Sequence, residues 1–321
     1  MPLNVAYSLH IKGFDHMTKN LNIGFLGLGL IGGSIARAIK SAFPYTRIQV
    51  YTRRKNPDLE QGVKDGILSG LLYDIDSELS SCDIIFLCAP VLKNIEFLHL
   101  LKPLIHEDCI ITDVGSVKGN IHRTARELGL EHNFIGGHPM AGSEKTGYAN
   151  SSATLLENSY YLLTPTPHTS NTKLHLLLSL LQCTGSKCVI VEPEKHDDIT
   201  AAISHVPHII ASTLVNMVRE NDTPDGFMKA FAAGGFKDIT RIASSSPEMW
   251  ENICLSNKDS IDYFLELYIK SLEDFRKMLR EEKTDDLRNT FLDAGTYRNS
   301  IPDTISDFIS INISNKKSGA E

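Results

Sequence analysis

The fold is decided by residues 22–41, which read NIGFLGLGLIGGSIARAIKS. The first five residues form a short apolar run typical of a buried strand, and apolar residues from Ile31 onward recur at helical spacing. Between them, Gly27, Gly29 and Gly32 form a G-x-G-x-x-G string, which predicts a dinucleotide site when it follows a strand and opens a helix. We therefore expect the turn, including Leu30 and Ile31, to hold a pyrophosphate at a helix N-terminus.

The first half of the chain repeats this alternation of strand and helix. Strands are predicted at residues 22–26, 47–51, 83–87, 109–113, 133–136, 160–164 and 188–191, with helices such as 31–41 and 94–101 between them. Such alternation is typical of βαβ units on a parallel sheet. We predict an α/β protein whose N-terminal domain is a Rossmann-type parallel sheet.

The pattern changes after residue 192. From His196 to about Arg280 the apolar residues recur at helical spacing, and no further strand pattern is found. We predict an N-terminal extension at 1–20, the dinucleotide-binding domain at 21–192, an all-helical domain at 193–311 and a disordered polar tail at 312–321.

Composition restricts the partners and the compartment. The 321 residues suffice for about two domains, and a net charge of −7 provides no basic field for nucleic acid or an anionic membrane. The six cysteines form no C-x-x-C pair, which indicates reduced thiols and a cytoplasmic protein. No run approaches the roughly 20 apolar residues of a membrane span, and the N-terminus has no export-signal pattern. A small-molecule partner is expected.

The end of the second predicted strand bears on the choice of cofactor. A site that prefers NAD usually carries an acidic residue there to bind the ribose 2′-hydroxyl. This chain has Thr52, Arg53 and Arg54 instead, and guanidinium groups can bind the 2′-phosphate of NADP. NADP is therefore favoured over NAD, although Asp58 or Glu60 can still reach the ribose.

Other polar segments also follow predicted strands. Ala89 and Pro90 follow 83–87, Ser116 follows 109–113, and His138 follows 133–136. Because ligands of open α/β sheets bind at the carboxyl edge, Ala89, Pro90 and Ser116 are expected beside the cofactor. An alcohol loses hydride readily only when its proton is accepted, and histidine is an efficient base near neutrality. We predict His138 as this base and Ser116 as its hydrogen-bonding neighbour; the alternative for His138 is a hydrogen-bonded loop residue.

The helical domain contributes a third polar constellation. His205 and His208 should lie near one helix face, with a kink at Pro207. Their spacing is wrong for a zinc helix and no cysteine or acidic partner completes a set, so no metal site is predicted. Lys237 and Arg241, four residues apart, are candidates to bind a carboxylated substrate; the alternative is a solvated helix face.

Five motifs, taken in order, resemble the prephenate dehydrogenase (TyrA) family. They are GLGLIGGS, DVGSVK, GGHPMAGSE, SHVPH and GGFKDITR, and the likeness runs from about residue 22 to 298. The resemblance implies oxidative decarboxylation of prephenate to 4-hydroxyphenylpyruvate, with hydride transfer to NAD(P)+, on the route to tyrosine. Arogenate, the amino analogue of prephenate, stays open as the substrate.

The resemblance also implies residue roles and an assembly. His138 polarises the substrate hydroxyl with Ser116 beside it, and Arg241 holds a substrate carboxylate. The remaining residues implied for the substrate pocket are His208, Lys237, Trp250, Glu144 and His196. The family's helical domain is also its dimer interface, so a homodimer is expected.

Two further classes of function are compatible with the same fold. One is an NAD(P)-binding regulator that senses nucleotide ratio, but it predicts a degraded catalytic turn, whereas Ser116, His138 and Arg241 are intact. The other is a β-hydroxyacid dehydrogenase, whose base is usually a lysine on the helical domain, a position that Lys237 can occupy.

Overall fold

The computed structural model describes residues 20–142 and 145–302. The expected N-terminal extension and polar tail lie almost entirely outside this range, as does Glu144. Eight strands form one sheet: β1 Asn22–Leu26, β2 Arg47–Tyr51, β3 Gly70–Leu72, β4 Ile84–Leu87, β5 Ile110–Asp113, β6 Phe134–Pro139, β7 Tyr160–Pro165 and β8 Lys187–Ile190. Their spatial order is β3-β2-β1-β4-β5-β6-β7-β8.

Twelve α-helices are described. Five belong to the alternating half: α1 Leu30–Ala42, α2 Pro57–Lys64, α3 Val91–Leu101, α4 Gly119–Glu127 and α5 Asn171–Leu181. Seven follow the last strand: α6 Pro193–Thr200, α7 Val206–Asn221, α8 Phe227–Ala230, α9 Gly234–Thr240, α10 Pro247–Ser256, α11 Lys258–Arg280 and α12 Thr284–Ser300. A π-helical turn, Ala201–His205, joins α6 to α7 immediately before Pro207.

The sheet is buried on both faces where its strands carry runs of apolar residues, and β4, which reads IIFL, is buried at all four positions. Ile84 and Phe86 of β4 lie in a core with α1 and α5, whereas Ile85 and Leu87 of the same strand lie in a second core with α3 and α4. Alternate side chains of a strand point to opposite faces, so helices are needed on both sides. This arrangement confirms the predicted Rossmann-type domain with helices following it.

The last two strands differ from the predicted all-parallel sheet. β7 pairs antiparallel with β6, His138 opposite Leu162, and β8 pairs parallel with β7. A parallel pair needs a crossover, usually a helix. Between β6 and β7 the described residues contain only the short 3₁₀ turn Tyr148–Asn150, so the chain returns directly beside β6.

The described chain divides into two compact units, residues 20–262 and residues 263–302. The first contains the sheet and the helices up to α10. In the second, which consists of most of α11 and all of α12, no described residue is buried, and Phe291 and Tyr297 are 69% and 74% exposed. Apolar exposure on this scale is typical of an interaction surface.

The helical run Pro193–Asn221 meets the length and composition criteria for a membrane span, with a mean hydropathy of 1.3 in its most apolar window. One such helix is weak evidence, because core helices of soluble proteins meet the same criteria. Within this run His196, Asp197 and His205 form buried hydrogen bonds to other parts of the first unit. These contacts tie the first half of the run to the rest of the first unit.

Candidate active site

The glycine turn after β1 is shaped for close approach. Gly27 has a φ of +83°, and a Cβ there would lie 3.0 Å from the backbone nitrogen of Ala89. A Cβ on Gly32 would lie 2.9 Å from the sulfur of Cys88, whereas a Cβ on Gly29 would meet no atom within 4 Å. The turn is therefore packed against the end of β4 at Gly27 and Gly32 and open at Gly29.

This turn fits the pyrophosphate of a dinucleotide. Helix α1 begins at Leu30, and among the described residues no side chain caps its N-terminus and no acidic residue lies in its first turn. The free N–H groups and the positive end of the helix dipole favour an anion. Ala89 and Pro90 lie at the end of β4, beside the turn.

The basic segment after β2 is solvent-exposed. Arg53 and Arg54 are exposed, and neither forms an ion pair with any residue in the described ranges. The Thr52 hydroxyl donates to the Arg54 carbonyl at 2.9 Å, which orders the turn. Asp58 and Glu60 lie in the first turn of α2, where acidic residues stabilise the helix dipole.

His138, near the carboxyl end of β6, lies in a line of hydrogen-bonded groups. Its Nδ1 is 2.9 Å from Nε2 of His196, and Nδ1 of His196 is 2.8 Å from Oδ1 of Asp197. The two carboxylate oxygens of Asp197 accept the backbone N–H groups of Lys118 and Gly119, each at 2.7 Å. The structure thus brings together two predicted site residues, His138 and His196, and adds Asp197.

The imidazoles of this line are held neutral. Burial, together with the neighbouring His196, Lys118 and His205, lowers the pKa of His138 well below its ordinary value. Burial also lowers the pKa of His196, although the hydrogen bond that His196 donates to Asp197 opposes this shift. Burial lowers the pKa of the nearby His205 to about 4. Neutral imidazoles can accept a proton, so His138 is suited to act as a base.

A buried ion pair fixes the backbone just before His138. Lys118 and Asp113 are both fully buried and contact each other through Nζ and Oδ2. Lys118 Nζ also donates to the Gly137 carbonyl at 2.8 Å, and the Gly137 N–H donates to Asp113 Oδ1 at 3.1 Å. Both backbone groups of Gly137 are thereby held by one pair of side chains.

Lys118→Met should therefore destabilise the fold. The substitution leaves the Asp113 carboxylate buried without its cation, which costs about 3–5 kcal/mol in comparable cases. Chemical denaturation should show this loss in the free energy of unfolding, with Lys93→Met as the control, because the exposed Lys93–Glu96 pair is worth at most about 1 kcal/mol. Equal losses in the two variants would contradict a clamping role for Lys118.

A second cluster lies on the helices that follow the sheet. The rings of His208 and Trp250 stack with centroids 4.0 Å apart, and His205 meets Trp250 edge-on at 6.0 Å. Nδ1 of His208 donates to the Ser204 carbonyl at 2.8 Å, which leaves its Nε2 as an acceptor. The indole N–H of Trp250 is buried and has no hydrogen-bond acceptor among the described residues.

The other predicted site residues occupy separate positions. Ser116 is half-buried in the segment that joins β5 to α4. Lys237 on α9 and Arg241, which opens the 3₁₀ turn Arg241–Ser244, are both exposed, and neither pairs with an acidic residue in the described ranges. The described part of the chain contains no group of three histidine, cysteine or acidic side chains suited to a metal ion.

The sequence prediction assigned no role to three residues of this site: Asp197, Lys118 and Asp113. Asp197 is adjacent to His196, and a carboxylate next to a histidine was the available signal. Lys118 and Asp113 lie within the predicted motif DVGSVK, but their burial has no local sequence signal.

Comparison with known families gives matches along most of the chain. Residues 35–190 match the model described as "Prephenate dehydrogenase, nucleotide-binding domain", and residues 192–293 match "Prephenate dehydrogenase, dimerization domain". The prephenate dehydrogenase of Bacillus subtilis is 38% identical over 86% of this chain and 75% of its own length. The cyclohexadienyl dehydrogenase of Zymomonas mobilis is 30% identical over 88% of this chain and 96% of its own length.

A solved structure shows the same architecture. The crystal structure of prephenate dehydrogenase from A. aeolicus, in complex with hydroxyphenyl propionate and NAD+, superposes with a TM-score of 0.81 at 32% sequence identity. The alignment covers 88% of this chain and 98% of that one.

Proposed function

This chain belongs to the prephenate dehydrogenase family, and on that premise we propose that it oxidatively decarboxylates prephenate with His138 as the base. The activity is that of a nicotinamide-dinucleotide-dependent oxidoreductase of tyrosine biosynthesis. The observation that carries the assignment of His138 is its position: a half-buried imidazole near the carboxyl end of β6, with a pKa held below its ordinary value, hydrogen-bonded through Nδ1 and leaving Nε2 for a substrate.

The proton steps follow from this arrangement. Nε2 of His138 accepts the proton of the ring hydroxyl while hydride leaves the ring carbon that bears this hydroxyl. Loss of the ring carboxylate as CO2 then returns an electron pair to the ring oxygen, which recovers the proton from His138. A nicotinamide dinucleotide held at the glycine turn of Gly27, Gly29 and Gly32 would supply the hydride acceptor. His138 therefore takes up one proton and later releases it, so the residue is unchanged at the end of the reaction. The product is 4-hydroxyphenylpyruvate.

The remaining contacts are assigned on the same premise. Ser116 forms a hydrogen bond with the substrate hydroxyl, and Arg241 binds a substrate carboxylate. The Trp250 N–H, which has no acceptor among the described residues, and Nε2 of His208 line the end of the pocket that holds the substrate side chain. Lys237 is assigned to the same end of the substrate, and His196 and Glu144 are assigned to organise the pocket. The dinucleotide is assigned to Gly27, Gly29, Leu30, Ile31, Gly32, Thr52, Arg53, Arg54, Ala89, Pro90 and Ser116.

Paired activity assays test the substrate assignment. Prephenate and arogenate are each supplied with NAD+ and with NADP+, and the products are identified as 4-hydroxyphenylpyruvate or tyrosine. Turnover of prephenate is expected to exceed that of arogenate. Arogenate remains the second candidate because the arogenate dehydrogenase of Synechocystis has a TM-score of 0.77 at 29% identity. Exclusive use of arogenate would contradict the proposal, and cofactor binding without turnover of either compound would favour a nucleotide-sensing regulator.

We propose NADP as the preferred cofactor. The support is the exposed pair Arg53 and Arg54, which no described carboxylate neutralises, and the position of Asp58 and Glu60 in the first turn of α2. A guanidinium can bind the 2′-phosphate, which NAD lacks.

Arg53→Ala should weaken the binding of NADP more than that of NAD. Removal of a charge-assisted hydrogen bond costs about 1.5–3 kcal/mol, and only NADP carries the group that forms it. Titration of both cofactors against the variant measures the difference, with Arg47→Ala as the control, since Arg47 is an exposed arginine at the opposite end of β2. Equal losses for the two cofactors would refute NADP preference.

The assembly and the location are proposals as well. We propose a homodimer formed through the helical domain, with the domain junction near residue 192, in a soluble cytoplasmic protein. The match to a dimerisation domain over residues 192–293 supports this assembly. The exposed apolar side chains of α11 and α12 are the surface that a second copy would cover.

A further inference from the structure

We propose that Asp197 is a positioning residue that, through His196, fixes His138 in the tautomer whose Nε2 carries a lone pair. The inference rests on the proposed function, because it concerns the atom that accepts the substrate proton. It assigns Asp197 a role in the reaction although Asp197 is linked to His138 through His196 and not by a direct hydrogen bond among the described contacts.

The first step is the state of Asp197. One carboxylate oxygen accepts the N–H of Lys118 and the other accepts the N–H of Gly119, both at 2.7 Å and both at the N-terminus of α4. Two fixed backbone donors commit this side chain to the acceptor role. The hydrogen between Asp197 Oδ1 and His196 therefore sits on Nδ1 of His196, which is 2.8 Å away.

The second step passes this constraint to His138. A neutral imidazole protonated on Nδ1 has its lone pair on Nε2. Nε2 of His196 must then accept, so the hydrogen in the 2.9 Å contact belongs to Nδ1 of His138. His138 is consequently left with an unprotonated Nε2, the nitrogen that a general base needs. The constraint extends from a helix N-terminus through two rings to the reacting atom.

The third step is the charge that develops during the reaction. His138 is faced by His196 of α6, by Lys118 before α4 and by His205 of the π-helical turn, all of which disfavour its protonated form. The acidic groups that act on this cluster through His196 are Asp197 and Asp113. Asp113 is already paired with Lys118. Asp197 is thus the acidic group that, through its hydrogen bond with His196, stabilises the positive charge that develops on the ring of His138.

The tautomer can be measured without substrate. Full-length protein labelled with ¹⁵N-histidine should show His138 and His196 both protonated at Nδ1 and unprotonated at Nε2 by NMR. Assignment uses His138→Asn and His196→Asn, each of which removes one pair of signals. A wild-type His138 protonated at Nε2 would overturn the proposal, even if prephenate is turned over normally. Absence of prephenate turnover would instead count against the proposed function and leave this measurement intact.

Two substitutions separate positioning from a purely structural role. Asp197→Ala removes acceptor and charge, and kcat should fall by roughly 10²–10³-fold while KM stays within about threefold. Asp197→Asn keeps an acceptor oxygen but not the charge, and its loss in kcat should be smaller. Asp198→Asn is the control, because Asp198 is exposed and accepts only from Ser260 among the described bonds.

The amount of folded enzyme is determined by cofactor titration, so that kcat refers to intact sites. Wild-type kcat per site in Asp197→Ala would show that Asp197 serves only the N-terminus of α4 and would overturn the proposal. A reduced kcat per site with a mixture of His138 tautomers in the NMR spectrum is the expected result. If Asp197→Ala does not fold, the tautomer of the wild-type protein and the kcat of Asp197→Asn still decide.

Discussion

His138→Asn is expected to lower kcat for prephenate by roughly 10²–10⁴-fold while leaving cofactor affinity nearly unchanged. Asparagine can keep a hydrogen bond to His196, but it has no nitrogen that accepts a proton. Steady-state kinetics and a separate cofactor titration measure the two effects. The acidic limb of the wild-type pH profile should lie below the ordinary histidine range, because burial lowers the pKa of His138. This limb should disappear in the variant.

His132→Asn is the matched control for this substitution. His132 is an exposed histidine on the surface of the first unit, where it contacts His168. Its substitution should therefore leave kcat unchanged. A weaker cofactor with unchanged kcat in His138→Asn would place His138 in the cofactor pocket. Full kcat in His138→Asn, together with loss of activity in Lys237→Met, would identify the lysine as the base and favour the chemistry of a β-hydroxyacid dehydrogenase.

Arg241→Ala should raise the KM for prephenate steeply, with a smaller change in kcat. The substrate is a dianion, and truncation of a charge-assisted pair that becomes buried on binding costs about 2–5 kcal/mol, or about 30- to 5,000-fold in KM. Lysine should rescue only part of the loss, since a point charge does not reproduce a bidentate guanidinium. Initial rates over a range of prephenate concentrations provide the measurement.

Arg219→Ala is the control, because Arg219 is an exposed helical arginine paired only with its neighbour Glu220 among the described ion pairs. Exposure of Arg241 in the structure is compatible with a side chain that becomes covered when substrate binds. A KM within about twofold in both Arg241→Ala and Arg241→Lys, typical of a surface change, would rule out a clamp at Arg241. The substrate carboxylate would then be bound by Lys237 or His208.

The strands of the sheet were largely predictable because their signal is local. The strand before the glycine turn, at residues 22–26, and the strand at residues 47–51 have the predicted bounds, and the other five predicted strands are present with ends shifted by one to three residues. β3 was missed because it has only three residues, Gly70–Leu72. The antiparallel direction of β7 was also missed, because strand direction depends on the connection before it and not on the strand's own apolar pattern.

The site was predictable only where a motif carries it. His138 follows a strand and was found from its position, whereas His196 received a role only through the family resemblance. Asp197 contacts Lys118 across 79 residues of sequence and His138 meets His196 across 58, so no local periodicity records either contact. Burial of Lys118 is likewise decided by the closing of the sheet around it, since an isolated lysine in a polar motif predicts exposure.

The exposed apolar surface of α11 and α12 bears on the order in which the parts of the protein fold. Residues 20–262 have their own apolar cores and can fold as each nascent chain leaves the ribosome. Residues 263–302 have no described side chain in the buried class, so a second copy that covers α11 and α12, as in the proposed homodimer, would add hydrophobic stabilisation to them. Maturation would then contain a bimolecular step whose rate depends on how much protein the cell has already synthesised.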